Sequence, residues 1–203
     1  MPATTTRKRA RKAPPPIDPA LRGWVFDVIQ QEPLSQNVKM WAEVEMFYMS
    51  IAPRFSNMQF GIGVDPGQRH MGLAVLAQDQ AVAWQITWKD MPGRAFRASI
   101  IMHTIRYLIG KVRREAVRYD GLIEDAAGNA RFGQAQLAEA RTAAMIAVQE
   151  SPLIRKLEVM PPMTWRKQLF GHGHIRAEEV WKDKLPGDAA TAVALALLAA
   201  KLA

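Results

Sequence analysis

The chain has 203 residues, 49% of them apolar, enough for one domain with a sizeable core plus an appendage. It contains no cysteine, which excludes disulfides and thiolate metal sites, and no apolar run reaches the roughly 18 residues of a membrane span. A formal net charge of +8 makes a polyanion the natural partner.

Much of that charge sits at the start. Residues 1–16 hold Arg7, Lys8, Arg9, Arg11 and Lys12 and no acid, among prolines and small residues. Such a segment buries too little apolar surface to order itself and is read as a disordered basic tail. It serves as a nucleic-acid-touching arm, as a localisation signal, or as a solvated tail with no specific role. It lacks the continuous apolar segment of a secretory signal. The expected location is the cytoplasm of a bacterial or phage-type system, with organelle or nucleus left open by the tail.

Residues 17–57 read as a helical extension. Asp18-Pro19 has the form of an N-cap followed by proline at the first helical position. Leu21, Trp24, Val25 and Val28 repeat at helical spacing, and Pro33 breaks the run. Ser35 caps a second predicted helix with Val38, Trp41, Val44 and Phe47 on one face, which Pro53 closes. Trp24 and Trp41 are expected to anchor this pair on the main domain rather than to stack on bases.

The main domain is placed at residues 58–203. Phe60-Gly61-Ile62-Gly63-Val64 reads as a strand delivering Asp65, Pro66-Gly67 as a turn, and Gly72 to Leu76 as a returning strand. An ionised carboxylate beside an apolar strand is costly unless paired, and a bound cation is the simplest partner. Gly63 and Gly67 leave room for a ligand near the backbone. Read alone, the same residues also make a plain hairpin whose acid starts the turn. Ala81 to Trp88 supplies a third strand and completes an antiparallel meander.

Arg94 to Tyr119 then reads as one long helix, with Ile101, Ile105, Leu108, Ile109 and Val112 on one face. Its arginines and lysines largely avoid that face and form a solvated surface. Leu122-Ile123 is a short buried strand ending in Glu124-Asp125. A small-residue loop, 126–132, leads to a helix from Ala135 to Gln149 and a strand from Lys156 to Met160. Thr164 is expected to cap a short helix, Phe170 to His174 to form a loop, and Arg176 to Lys182 another helical stretch. Asp188 opens the last helix, through Lys201.

Three acids therefore lie beside apolar stretches and small residues: Asp65, Glu124 and Asp188. If they converge they suit Mg²⁺ or Mn²⁺, which prefer hard oxygen ligands. The cation would relieve the repulsion that otherwise raises the carboxylate pKa values. A pair of ions about 4 Å apart would activate a water and stabilise the leaving oxygen of a phosphodiester. Taken one at a time, Asp188 is also an ordinary N-cap and Glu124-Asp125 ordinary turn acids.

The element order, with acids at those three places, resembles the ribonuclease-H-like superfamily, and more narrowly the RuvC-type Holliday junction resolvases. Gly63-Val64-Asp65-Pro66-Gly67 followed by Gly72 resembles their first motif, and Ile123-Glu124 with the helix containing Ala140-Arg141 their second. Trp165-Arg166-Lys167 through Gly171-His172-Gly173 to Arg176 resembles their basic third region, and Asp188-Ala189-Ala190 their last motif. The resemblance spans about residues 58–202.

It implies an α/β fold: a mixed five-stranded sheet, three antiparallel strands then parallel ones, flanked by helices. It implies a homodimer that nicks four-way DNA junctions with Mg²⁺, two ions per site, Mn²⁺ substituting. Asp65, Glu124 and Asp188 would be the catalytic metal ligands. Arg166, Lys167 and Arg176 would hold phosphates, Arg141 would also face DNA, and Phe132 would sit at the junction centre as a stacking or wedge residue, or else belong to the core of the following helix. One departure stands out: where the family has a second acid three residues after the acid of its last motif, this chain has Thr191.

Other readings are a junction-binding module that has lost cutting through Thr191, and a ribonuclease-H-like nuclease acting on hybrids or flaps. A nucleotide binder of the actin or sugar-kinase type also places Asp-x-Gly between its first strands, but needs two lobes where this chain has room for one. His172 and His174 serve as acid, base or phosphate donors, or are solvated loop residues.

Overall fold

The computed structural model describes residues 35–51, 60–77, 80–91, 93–112, 118–125, 134–181 and 184–202. The tail, the predicted helix around Trp24 and the loop carrying Phe132 lie outside the described residues.

A short helix α1 (Gln36–Trp41) opens the described chain, with the Ser35 hydroxyl accepting from the Val38 amide at 3.3 Å. The expected continuation of this helix through Val44 and Phe47 is not found. Residues Ala42–Ser50 form a strand, β1, paired antiparallel with β4 (Gln80–Trp88) over nine positions from Ala42↔Trp88 to Ser50↔Gln80. Glu43 and Glu45 alternate with Val44 and Met46, a period of two that suits a sheet edge with one wet face. Trp41 does anchor the segment, meeting the ring of Phe96 edge-on at 4.9 Å.

The meander follows as expected: β2 (Phe60–Asp65), β3 (His70–Ala77), then β4. Helix α2 runs Arg94–Lys111 and stops well short of Tyr119, which instead begins β5 (Tyr119–Glu124). Then come α3 (Gln134–Gln149), β6 (Ile154–Met160), α4 (Pro162–Phe170), α5 (Ala177–Val180) and α6 (Gly187–Leu202). Thr164 does not cap α4. Pro161 holds that place, with extended backbone, and Pro162 sits in the first turn, where a missing amide hydrogen costs nothing.

Among the described residues the sheet has six strands, in the order β1-β4-β3-β2-β5-β6. The sixth is β1, the segment expected to be helical. Pairings among β1, β4, β3 and β2 are antiparallel, while β2–β5 and β5–β6 are parallel. One face packs on α2 and α3 with large side chains such as Ile62, Leu73, Trp84, Ile86 and Ile123. The other packs on α6 through Ala74, Ala81, Ala83 and Leu122. No helix among the described residues is long and apolar enough to cross a membrane.

Candidate metal and nucleic-acid site

Side chains of a strand alternate between its two faces, so Gly61, Gly63 and Asp65 share the face opposite Ile62 and Val64. By the same alternation Leu122 and Glu124 of β5 lie on that face, opposite Ile123. Strands β2 and β5 are adjacent and parallel, in the register Gly63↔Leu122 and Val64↔Ile123. The next pair along is Asp65 and Glu124. Two carboxylates thus stand side by side at the carboxyl ends of neighbouring parallel strands, where open α/β sheets bind their ligands.

Helix α6 brings the third acid. It lies so close to the sheet that only glycine fits beneath it. A Cβ on Gly72 would overlap the Asp188 carbonyl oxygen, one on Gly63 that of Ala192, and one on Gly61 that of Ala196. The three contacts step up the helix four residues at a time, one turn per glycine. Gly72 pairs with Asp65 across the β2–β3 hairpin, so seating Asp188 on Gly72 sets it beside Asp65. Thr191 is one turn further along α6, and its hydroxyl hydrogen-bonds the Asp65 carboxylate.

Each acid is held by a protein donor. Gln85 of β4 donates from Nε2 to Asp188 Oδ2 at 2.6 Å, and its Oε1 accepts from the Ala189 amide at 3.0 Å, capping the helix start. Trp165 of α4, fully buried, donates from Nε1 to Glu124 Oε2 at 3.2 Å. The guanidinium carbon of Arg166 lies 5.1 Å from the Trp165 ring centroid, and its Nε is buried with no hydrogen-bond partner among the described residues.

The electrostatics follow from this crowding. Burial, then the charges of Glu124 and Asp188, hold Asp65 well above the ordinary carboxylate range, against the Thr191 hydrogen bond and the Arg166 charge. Burial also raises Glu124, with Asp188 adding to it, while Arg166 and the Trp165 hydrogen bond oppose the rise. Three hard oxygen donors that repel one another fit a divalent cation of the Mg²⁺ or Mn²⁺ type by their chemistry. Among the described residues, however, no three such side chains stand in a ligating arrangement. Each carboxylate instead has its own protein partner: Thr191 for Asp65, Trp165 for Glu124 and Gln85 for Asp188.

The predicted DNA-facing residues spread more widely. Lys167 is exposed on α4, and His172 and His174 are exposed in the loop after it. Arg176 is exposed, 3.4 Å from Glu178. Arg141 of α3 pairs with Asp125, the residue after Glu124. On α2, Arg106 pairs with Glu150.

Sequence reading missed two residues here, Gln85 and the Trp165 donor. Gln85 left a trace, as a polar residue sharing a strand face with Ala81 and Ala83. Trp165 left none, since an indole beside a carboxylate 41 residues away is a tertiary fact.

No family model matches the sequence, and no curated protein does. Solved structures do resemble the fold. A structure of RuvC from Thermus thermophilus is 22% identical with a TM-score of 0.53, covering 67% of this chain and 90% of that one. T. thermophilus RuvC in complex with a Holliday junction substrate is 23% identical, also at 0.53, covering 68% and 91%. The chain has a RuvC-like fold, of the ribonuclease-H-like kind.

Proposed function

We propose that this chain is a divalent-metal-dependent endonuclease that nicks branched DNA, four-way junctions above all. The observation that carries the reading is the meeting of Asp65, Glu124 and Asp188 at one end of one sheet face, from three elements far apart in sequence. Likeness to a fold seen in RuvC bound to a Holliday junction substrate supports the choice of DNA.

In this reading Asp65, Glu124 and Asp188 hold Mg²⁺ or Mn²⁺. The chemistry such an ion supplies is Lewis-acid polarisation of the phosphodiester and activation of water. The residues of the chain do the rest. Gln85 keeps Asp188 over the hairpin, and Trp165 aims Glu124. Exposed Lys167 and Arg176 meet backbone phosphates, and Arg141 of α3, paired with Asp125 just after β5, also faces the DNA. Two copies of the chain acting together would make the paired nicks of junction resolution.

The test is nicking of a synthetic four-way junction in Mg²⁺ and in Mn²⁺, with native protein and Asp65→Asn, at two salt concentrations. Nicking by the native chain, lost in Asp65→Asn while junction binding persists and weakens with salt, is expected. Junction binding without a nick under either ion would overturn cleavage. It would favour the second reading, a non-cleaving junction binder, for which the neutral Thr191 hydroxyl against Asp65 speaks. Faster cutting of RNA–DNA hybrids or flaps than of junctions would reassign the substrate.

A further inference from the structure

We infer that His70 is a substrate-contacting residue of this site: tethered to Thr87, it meets through Nε2 a phosphate next to the one being cut. This rests on the nuclease reading above, and adds a grip on the DNA on the far side of the acids from α4.

The register of the sheet places His70. Strands β3 and β4 pair Gly72 with Gln85 and, one rung further out, His70 with Thr87. The inner rung serves the acids, since Gly72 lies under the Asp188 carbonyl and Gln85 donates to the Asp188 carboxylate. Residues two apart on a strand share a face, so His70 and Thr87 stand on the same side of the sheet as that pair. The rise of a strand sets the outer rung about 7 Å from the inner one, toward the carboxyl end of β2. Helix α6 starts over Gly72 and runs back over Gly63 and Gly61, away from the outer rung, and His70 is exposed.

The ring is also held. His70 Nδ1 lies 3.1 Å from Thr87 Oγ1, and Nε2 has no protein partner among the described residues. The backbone beneath is fixed on both sides. A Cβ on Gly67 would overlap the His70 carbonyl oxygen, and the Trp88 amide donates to the Arg69 carbonyl at 2.8 Å. With the Thr87 hydroxyl donating to Nδ1, the ring proton sits on Nε2. An uncharged imidazole then offers one N–H outward, suited to a phosphate oxygen.

The two flanks of the acids differ. Trp165, bonded to Glu124, sets α4 and its exposed Lys167 on the β5 side. His70 is on β3, across β2 from there. A DNA strand laid over the acids and held on the β5 side alone is free to pivot. A donor on the β3 side fixes its direction, and reaction rates are steep in such positioning.

The experiment measures single-turnover nicking of four-way junctions in Mn²⁺, with a neutral methylphosphonate replacing one phosphate at a time on either side of the nick. Native protein is expected to slow about tenfold at one of these positions. His70→Ala should be about tenfold slower on the unmodified junction and lose nothing more at that position, as two halves of one contact require. Thr87→Val, which frees the ring without removing it, should slow less and keep the sensitivity. A His70→Ala protein that nicks at the native rate, or that is slower yet as sensitive as native at every flanking phosphate, would overturn the inference and leave the nuclease reading standing. If the native chain binds junctions without nicking them, cleavage falls, and the same cycle read on the dissociation constant decides the contact by the same criterion. No junction binding by the native chain would sink both.

Discussion

The two faces of the sheet are built on opposite rules. Against α2 and α3 the sheet offers bulk: Trp84, Leu73, Ile86 and Tyr119 are almost wholly buried and fill space by volume. Against α6 it offers absence, since Gly61, Gly63 and Gly72 let the helix backbone come to the sheet and alanines line the contact. The first face gains stability from apolar area. The second gives up area for proximity, and proximity brings Asp188 to Asp65. The acids sit on the thin side, where the start of α6 comes within reach of the β2–β3 hairpin.

The comparison can be broken most forcefully from the thick side. Trp84→Ala empties a site 1% exposed and should cost about 4 kcal/mol in chemical denaturation. Next, the sign of the volume change reverses across the sheet. Gly63→Ala adds one methyl where the Ala192 carbonyl already stands, and should cost about 3 kcal/mol. If Gly63→Ala is silent, the claim that proximity governs this face fails. Gln85→Leu keeps the volume but removes the donor to Asp188 and the acceptor for the Ala189 amide. A loss of about 1–2 kcal/mol is expected by the same measurement, with weaker divalent-ion binding.

The smallest effect has the opposite sign. Asp65 sits well above the ordinary carboxylate range, chiefly through burial and then through Glu124 and Asp188. For an acid raised on folding, the favourable contribution is present at low pH and is lost as pH rises through the folded value. Without divalent ions, Asp65→Asn should therefore melt about 2–4 °C higher than native at neutral pH, and the gain should vanish toward pH 4. Mn²⁺ should close the gap from the other side, raising native more than the variant. An unchanged or lowered melting point for Asp65→Asn at neutral pH would show that the acids do not strain one another.

How much of this was legible beforehand follows the same division. The three acids announced themselves because each ends or begins an apolar element next to glycine or alanine, a local signal. The meander was readable from strand runs and punctuation, and the parallel strands from the resemblance to a known family. Strand β1 was not: Val38, Trp41, Val44 and Phe47 satisfy helical spacing, while the competing alternation of Glu43 and Glu45 is short. Pairing with β4 decided the matter, and pairing is not written in the segment itself. The partners of the acids, Gln85 and Trp165, come from elements whose nearness exists only once the sheet is ordered. The length of α2 was overestimated because its charged end continues the helical pattern past Lys111.

The glycine row under α6 has a practical corollary. It works as an indexing rack: three notches, one helical turn apart, fix where the rod stops, and the acid rides on its tip. Sliding by one notch would carry that carboxyl about 5 Å from its mates. Mutational searches for a hardier protein that fill these notches will therefore mistune the chemistry before they alter the outline of the molecule, and such libraries should leave positions 61, 63 and 72 untouched.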